Sequence, residues 1–483
     1  VEFFLSYWPW LAVAAAFALD LLVSVHIVLT KRDARAAIAW IAIIWFVPFL
    51  GSMFYYLLGI NRIERRARRL RRAGRRPKPP ADAMGTLPEA RIPALPDEAA
   101  HLANFVRLSE TVTGQPLCES NNVEPLWDGD QAYPAMLQAI EDAKYSVGLS
   151  MYIFNNDCTG NRFVAALGRA VGRGVEVRVL IDDVGARHHS WRSISGPLQR
   201  ARVPTARFLP TFWPRSFAYA NLRNHRKLMI VDGRIGFTGG MNITDDCWLS
   251  LQPRLAIHDV QFRIDGPVVA HMREVFVEDW KFTTGEPLQG ARWFPDLEVR
   301  GRMLARGVCN GPDEDLENLR LVLLGALSSA RTRVVIVTPY FLPDADLISA
   351  LNITALRGVQ VDIFLPRETD LRLVRWAATA QFAHVLEYGC RIWIAPGPFT
   401  HTKLMLVDGV WTMLGSANWD ARSLRLSFEF NIECYDRALA VSLESKLEMN
   451  FAKAERVTLA RLNGRPFLVK VRDGVARLLM PYL

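Results

Sequence analysis

The first sixty residues are patterned unlike the rest of the chain. Residues 3–30 are apolar except for Asp20 and His26, and residues 36–60 carry no charge at all. About 20 apolar residues cross a hydrocarbon core as a helix, so each run is long enough to span it. Only residues 31–35 separate the two runs. This predicts a pair of antiparallel transmembrane helices over 1–60, with Trp8, Trp10, Trp40 and Trp45 as interfacial anchors. A hairpin that dips into one leaflet is the other arrangement the pattern allows. Asp20 is costly in hydrocarbon, so it faces the second helix or a headgroup, or is a residue tolerated near a helix bend. A secretory signal would have a shorter apolar core behind basic residues, and that pattern is absent here.

After a proline-bearing stretch (Pro77, Pro79, Pro80, Pro88, Pro93 and Pro96) the pattern becomes that of a layered α/β protein. A helical stretch at 135–144 leads into alternating strand residues at 146–154. A second helical stretch ends at Arg173-Gly174, and 175–181 alternates again. The same order returns at 321–330, 334–341, Arg357-Gly358 and 359–365. Glycine directly after each helix is a C-cap signal. The chain therefore divides into an anchor (1–60), a basic linker (61–110) and two like domains (111–300 and 301–483), related by duplication and a pseudo-two-fold axis.

Charge sharpens this division. The formal net charge is +9, and nine arginines, one lysine and one glutamate within 61–80 account for all of it. The body from 81 onward is neutral, which argues against nucleic acid as a partner. Beside an apolar anchor, the basic run suits an anionic lipid surface. Three basic residues flank the short loop and ten lie between Arg62 and Lys78. The positive-inside rule then puts the linker and both domains in the cytoplasm, with the loop outside, as a multi-pass protein of the cytoplasmic (inner) membrane. The six cysteines are scattered without metal-ligand spacing, which fits a reducing compartment and calls for no metal.

The chemistry lies in an eighteen-residue pattern that occurs twice, 176 positions apart. The first copy has His225, Lys227, Asp232, Gly239-Gly240 and Asn242; the second has His401, Lys403, Asp408, Gly415-Ser416 and Asn418. Two imidazoles can attack phosphorus and protonate a leaving alkoxide, and two ammonium groups can neutralise phosphoryl oxygens. Alternation places His225 and Lys227 on one face of a strand, with Asp232 at opposite parity and at the strand's far end. Asp232 and Asp408 open Asp-Gly hairpin turns, so they are expected to support the site through buried hydrogen bonds and to be indispensable for that reason. His188, His189, His258 and His271 have no counterpart in the other copy and read as ordinary polar residues. The aromatic segment 211–219, just before the first copy, reads either as a membrane-touching lid or as packing between domains.

The repeated pattern resembles the HKD signature of the phospholipase D superfamily. The order of anchor, basic tail and two HKD domains, with Cys309 to Asp315, Thr338 to Pro343, Pro48 to Gly51 and Arg422 to Glu429, resembles bacterial cardiolipin synthases across nearly the whole chain. That resemblance implies ping-pong transfer of a phosphatidyl group between two phosphatidylglycerol molecules, giving cardiolipin and glycerol without a cofactor. By the same analogy His225 is the nucleophile and His401 the acid and base, while Lys227, Lys403, Asn242 and Asn418 hold the phosphate. Asp259 and Glu429 either orient an imidazole or form structural salt bridges. Gly240 departs from Ser416 and removes a hydroxyl available to phosphate. The same motifs also admit a phospholipase D that uses water, a phosphatidylserine-synthase-like enzyme, a nuclease, and a membrane-anchored phospholipid-binding protein without turnover.

Overall fold

A computed structural model describes residues 2–31, 34–59, 93–185, 193–210, 222–311 and 315–478. The basic run within 61–80, the aromatic segment 211–219 and His188 and His189 lie outside the described residues.

The apolar run at 3–30 becomes helix Glu2–Thr30, and its Trp10–Thr30 portion is long and apolar enough to cross a membrane. The second run departs from the expected single crossing helix. It forms Ala34–Phe46, turns at Pro48 and Phe49, and continues as Leu50–Phe54 and the π-helical turn Tyr55–Gly59. Thirteen residues rise only about 20 Å, short of the hydrocarbon thickness. The returning arm folds against the ascending one. A Cβ on Gly51 would sit 2.7 Å from the Ile43 carbonyl, and the Tyr55 and Trp40 rings meet at 5.4 Å. Lys31 Nζ donates to the Gly59 carbonyl at 2.7 Å, so both ends of the second run lie at one level. Asp20 explains how the turn is tolerated in an apolar setting. Its buried carboxylate accepts from Ser52 Oγ at 2.5 Å and from the Phe49 N–H at 3.4 Å, satisfying groups that the turn exposes.

The two halves repeat one topology. The first orders its strands Thr205–Phe208, Glu176–Asp182, Ser146–Met151, Leu228–Val231, Ile235–Gly239, Val260–Asp265 and Cys118–Trp127. The second runs Met303–Asn310, Ser427–Tyr435, Trp411–Gly415, Leu404–Val407, Arg333–Val337, Gln360–Pro366, Arg391–Ala395 and Glu455–Arg456. Antiparallel pairing of Cys118 with Ala305 and Asn121 with Met303 joins them edge to edge. The Arg-Gly helix ends close in the same way in both halves. Gly174 and Gly358 take positive φ (85° and 88°), and the following N–H groups, from Val175 and Val359, reach back to Ala170 and Thr354. This is the Schellman closure that glycine permits.

Strand alternation sorts side chains into layers. Met229 and Val231 enter a core belonging to the first half, Met405 and Val407 one belonging to the second, and Leu228, Ile230, Leu404 and Leu406 enter a core shared by both. Helices Val269–Thr284 and Arg437–Asn450 cover that shared layer. Helix Ala103–Thr113, which composition places in the linker, packs on the second half, where Phe105 meets Trp411 edge to face at 5.3 Å.

Candidate active site

Each motif histidine is positioned by the opposite half. The two-residue strand Arg223–Asn224 pairs in parallel with Ser427 and Phe428, and the His225 N–H donates to the Phe428 carbonyl at 2.9 Å. Symmetrically, Phe399–Thr400 pairs with Ile257–His258, and the His401 N–H donates to the His258 carbonyl at 2.7 Å. Both histidines and both lysines precede their strands, which begin at Leu228 and Leu404, rather than lying within them as alternation alone suggests. His225 and Lys227 nonetheless both approach the Tyr152 ring, so they share a face.

The crossed pairing brings each imidazole to the carboxylate that follows the other motif. His225 Nδ1 lies 3.0 Å and 3.1 Å from the two Glu429 oxygens, and His401 Nδ1 lies 2.9 Å from Asp259 Oδ2. Both carboxylates are fully buried. A carboxylate at Nδ1 favours the tautomer with its proton there, leaving the Nε2 lone pair for chemistry. Tyr152 stands edge-on to His225 at 4.9 Å, and Lys227 Nζ lies 5.3 Å from the centre of the same ring. Arg226 does not enter the cleft. It is held at 2.6 Å by both Asp279 oxygens and donates to the Glu429 carbonyl, locking the segment under His225.

The site gathers positive charge in a dry place. Burial drags Lys227 to about 7, with Glu429 pulling the other way, and Lys403 to about 8, with Asp259 and Glu429 opposing. Each ammonium donates to the carbonyl of its own motif histidine, at 2.8 Å for Lys227. Burial, Lys227 and Lys403 hold His225 well below the ordinary imidazole value. His401 is also lowered by burial and Lys403, but its hydrogen bond to Asp259 pulls it back up. Burial raises Glu429 to about 7 against the pull of Lys227. Such an arrangement is poised for an anion, whose charge would restore the protons that burial removes.

Other sequence expectations resolve individually. Asp232 lies at the far end of its strand, half-buried, and accepts from the N–H groups of Lys144, Tyr145 and Ser146. Asp408 accepts from those of Arg331, Thr332 and Arg333 and pairs with His101 at 2.8 Å. Neither aspartate reaches the cleft. Both adopt positive φ (51° and 53°) with the following glycine, as type I′ hairpin turns require. Asn242 Oδ1 accepts from the Ile153 N–H at 3.2 Å, while Asn418 is buried and its Oδ1 has no partner among the described residues. The reading of Gly240 as a lost phosphate ligand is corrected. Ser416 Oγ donates to Glu429 Oε2 at 2.5 Å, so it secures the carboxylate. A Cβ on Gly240 would lie only 2.6 Å from the Asp259 carboxylate, so glycine makes room for it. The His258 imidazole bonds Asp128 while its carbonyl holds the His401 N–H, and His271 accepts from the Gly307 N–H. Repeat position alone marked Asp259 and Glu429; nothing in the sequence marked which histidine each serves.

Comparison with known proteins agrees with this architecture. The family model described as "Cardiolipin synthase, PLD-like domain" matches residues 136–280 and 323–451. One described as "Phospholipase_D-nuclease N-terminal" matches 18–59. A cardiolipin synthase of Listeria monocytogenes is 30% identical over 466 residues, covering 95% of this chain and 96% of its own. One of Staphylococcus aureus is 29% identical over 480 residues, covering 97% and 96%. The crystal structure of a phosphatidylserine synthase from Haemophilus influenzae superposes with a TM-score of 0.61 at 15% identity, over 79% of this chain and 100% of that one, a likeness of fold.

Proposed function

This chain belongs to the cardiolipin synthase family of phospholipase D-like proteins, and we propose that it moves a phosphatidyl group from one phosphatidylglycerol to another through His225. In the first step His225 Nε2 attacks phosphorus and a P–N bond forms. The P–O bond to the headgroup glycerol breaks, and that alkoxide takes a proton from His401 Nε2. In the second step the terminal hydroxyl of another phosphatidylglycerol gives its proton to His401 Nε2. Its oxygen attacks phosphorus, the P–N bond breaks and cardiolipin leaves. Protons and phosphoryl groups balance over the cycle, and two phosphatidylglycerols become cardiolipin and glycerol.

The single observation carrying this reading is the crossed pair of carboxylate–imidazole contacts, which makes one site from two motifs. The assignment of roles is supported by the electrostatics. His225, depressed furthest by burial and by both lysines, is the neutral nucleophile. His401, whose proton Asp259 favours, is the better acid once a phosphate arrives. Lys227 and Lys403 neutralise the non-bridging oxygens, and the side chain of Asn418 can turn to them as well. Asp232 and Asp408 act by fixing the strand ends.

Lipid analysis by mass spectrometry, after the purified protein meets phosphatidylglycerol, tests the reaction. Cardiolipin and glycerol are expected from the wild type, and from neither His225→Ala nor His401→Ala. Phosphatidic acid without cardiolipin would make water the acceptor instead. A phosphohistidine trapped in His401→Ala but absent in His225→Ala would fix the nucleophile, and the reverse would exchange the roles.

The membrane association carries a topology of its own. The fold-back of the second apolar run supports a loop at 31–35 on the same side as the catalytic halves, and the basic residues favour the cytoplasmic side for both. An impermeant maleimide checks this. Ala34→Cys should label from the same face as the exposed native Cys158; labelling from opposite faces would restore two full crossings.

A further inference from the structure

The last described helix, Phe467–Leu478, is strongly amphipathic, yet its apolar side faces outward. Asp473 and Ala476 are buried where it packs on helix Arg372–Leu386, and Arg472 covers the Trp376 ring at 4.4 Å. Phe467, Leu468, Val471, Val475 and Leu478 are exposed, the first two at 76% and 78%. At 3.6 residues per turn these five fall within about 100° of arc on the side away from the packed residues. Lys470 and Arg477 border that stripe on one side and Arg472 on the other, all exposed. From 451 to 478 the chain holds seven basic and two acidic residues, and buried Asp473 is bound to Arg465 and Arg472. An exposed apolar stripe between basic rows does not suit a free aqueous surface. It suits the boundary between acyl chains and anionic headgroups.

We propose that helix Phe467–Leu478 lies in the interface of an anionic phospholipid bilayer, as a second membrane contact far from the anchor in sequence. The surface next to it strengthens the choice of occupant. An apolar groove of about 390 Å³, within the range of small-ligand pockets, has Leu462, Arg461 and Arg465 on one wall and Val374 and Phe382 on another. Tyr340 also lines it and bonds Asp370, one of the carboxylates acting on Lys403. A bilayer seated on the helix therefore lies beside an apolar groove whose lining includes Tyr340, the partner of Asp370. The helix tethers the second half to the source of its lipid, and lipid enters from the plane of the membrane.

The test uses the full chain reconstituted in vesicles. In a Cys158→Ser, Val475→Cys variant, an environment-sensitive fluorophore on the new thiol should be blue-shifted. It should be quenched by brominated acyl chains in mixed phosphatidylglycerol–phosphatidylcholine vesicles, and less in phosphatidylcholine alone. The same fluorophore on native Cys158 is the aqueous reference. Emission at position 475 matching that reference would overturn the proposal. So would shielding that persists in detergent together with crosslinks between copies, since a second copy would then cover the stripe. This fluorescence arm is independent of catalysis. A kinetic arm rests on the phosphatidyl-transfer reading. Phe467→Ser/Leu468→Ser/Val471→Ser should raise the apparent KM on vesicles at least about tenfold and leave turnover in detergent micelles unchanged. Equal losses in both media would mean the substitutions damage the fold, and no loss in either would remove the helix from lipid access.

Discussion

Glu429 Oε1 lies 3.0 Å from His225 Nδ1 although 204 residues separate them, and Asp259 holds His401 in the same way from the other half. Neither half contains a complete site. Carrying the proposed nucleophile and its orienting carboxylate on different domains makes activity depend on how the two halves pair.

Glu429→Gln tests that dependence. The amide can still meet Nδ1, but it supplies no negative charge to the imidazolium formed on attack. Turnover should fall by about 10²–10⁴-fold, the usual range for acid–base contributions, with a smaller change in KM. Steady-state kinetics on dispersed phosphatidylglycerol gives both numbers. A loss confined to KM would make Glu429 a substrate-binding group.

Gly240 and Ser416 should not be interchangeable. Ser416→Ala removes one hydrogen bond to a buried carboxylate, costing about 1–3 kcal/mol of local order and a moderate share of turnover. Gly240→Ser pushes its Cβ to 2.6 Å from the Asp259 carboxylate, so it should be the more damaging change despite copying the other motif. Equal activity in the two variants, assayed beside wild type, would count against the steric reading.

The lysines set a limit on the alkaline side. Phosphate binds the protonated forms, and burial lowers Lys227 to about 7 and Lys403 to about 8. Raising pH through these values removes positive charge before substrate arrives, so kcat/KM should decline from about pH 7 upward, and more steeply past pH 8, while kcat changes less. Bound phosphodiester lifts both lysines again, so saturating substrate should move the fall to higher pH. A pH profile of kcat/KM that is flat to pH 10 would mean the lysines stay charged.

Asp408→Ala should act on stability. Its carboxylate accepts three backbone N–H groups and the Thr332 hydroxyl at a hairpin corner. Burial alone would raise the aspartate, but those backbone bonds outweigh it and hold the group below its usual value. Its contribution is thus present above the ordinary aspartate range and is lost as pH falls through the lowered folded value. Each orphaned group costs about 1–3 kcal/mol, less where water reaches it. Thermal melting in detergent should shift down and total activity should collapse with it, while the fraction that stays folded keeps kcat within a few-fold. A large kcat loss without a shift in melting would put Asp408 in the chemistry.

What is periodic and what is repeated in this protein follows from short-range pattern along the chain. Alternation gave the strands, Arg-Gly gave two Schellman helix ends, Asp-Gly gave two hairpins, and matched spacing gave the two histidines and two lysines. These depend on local backbone preference and on parity, which a few neighbouring residues fix. The crossing came from long-range pairing between the halves. Two-residue strands such as Arg223–Asn224 and Phe399–Thr400 have no periodicity to read, yet they choose which carboxylate meets which imidazole. Tertiary packing also sets Ser416 to serve Glu429 and Gly240 to yield space to Asp259. The second apolar run turns back around Asp20 for the same kind of reason. Hydropathy measures how much of a segment is apolar, whereas a buried carboxylate 29 residues away in sequence supplies the hydrogen bonds that let the backbone turn there.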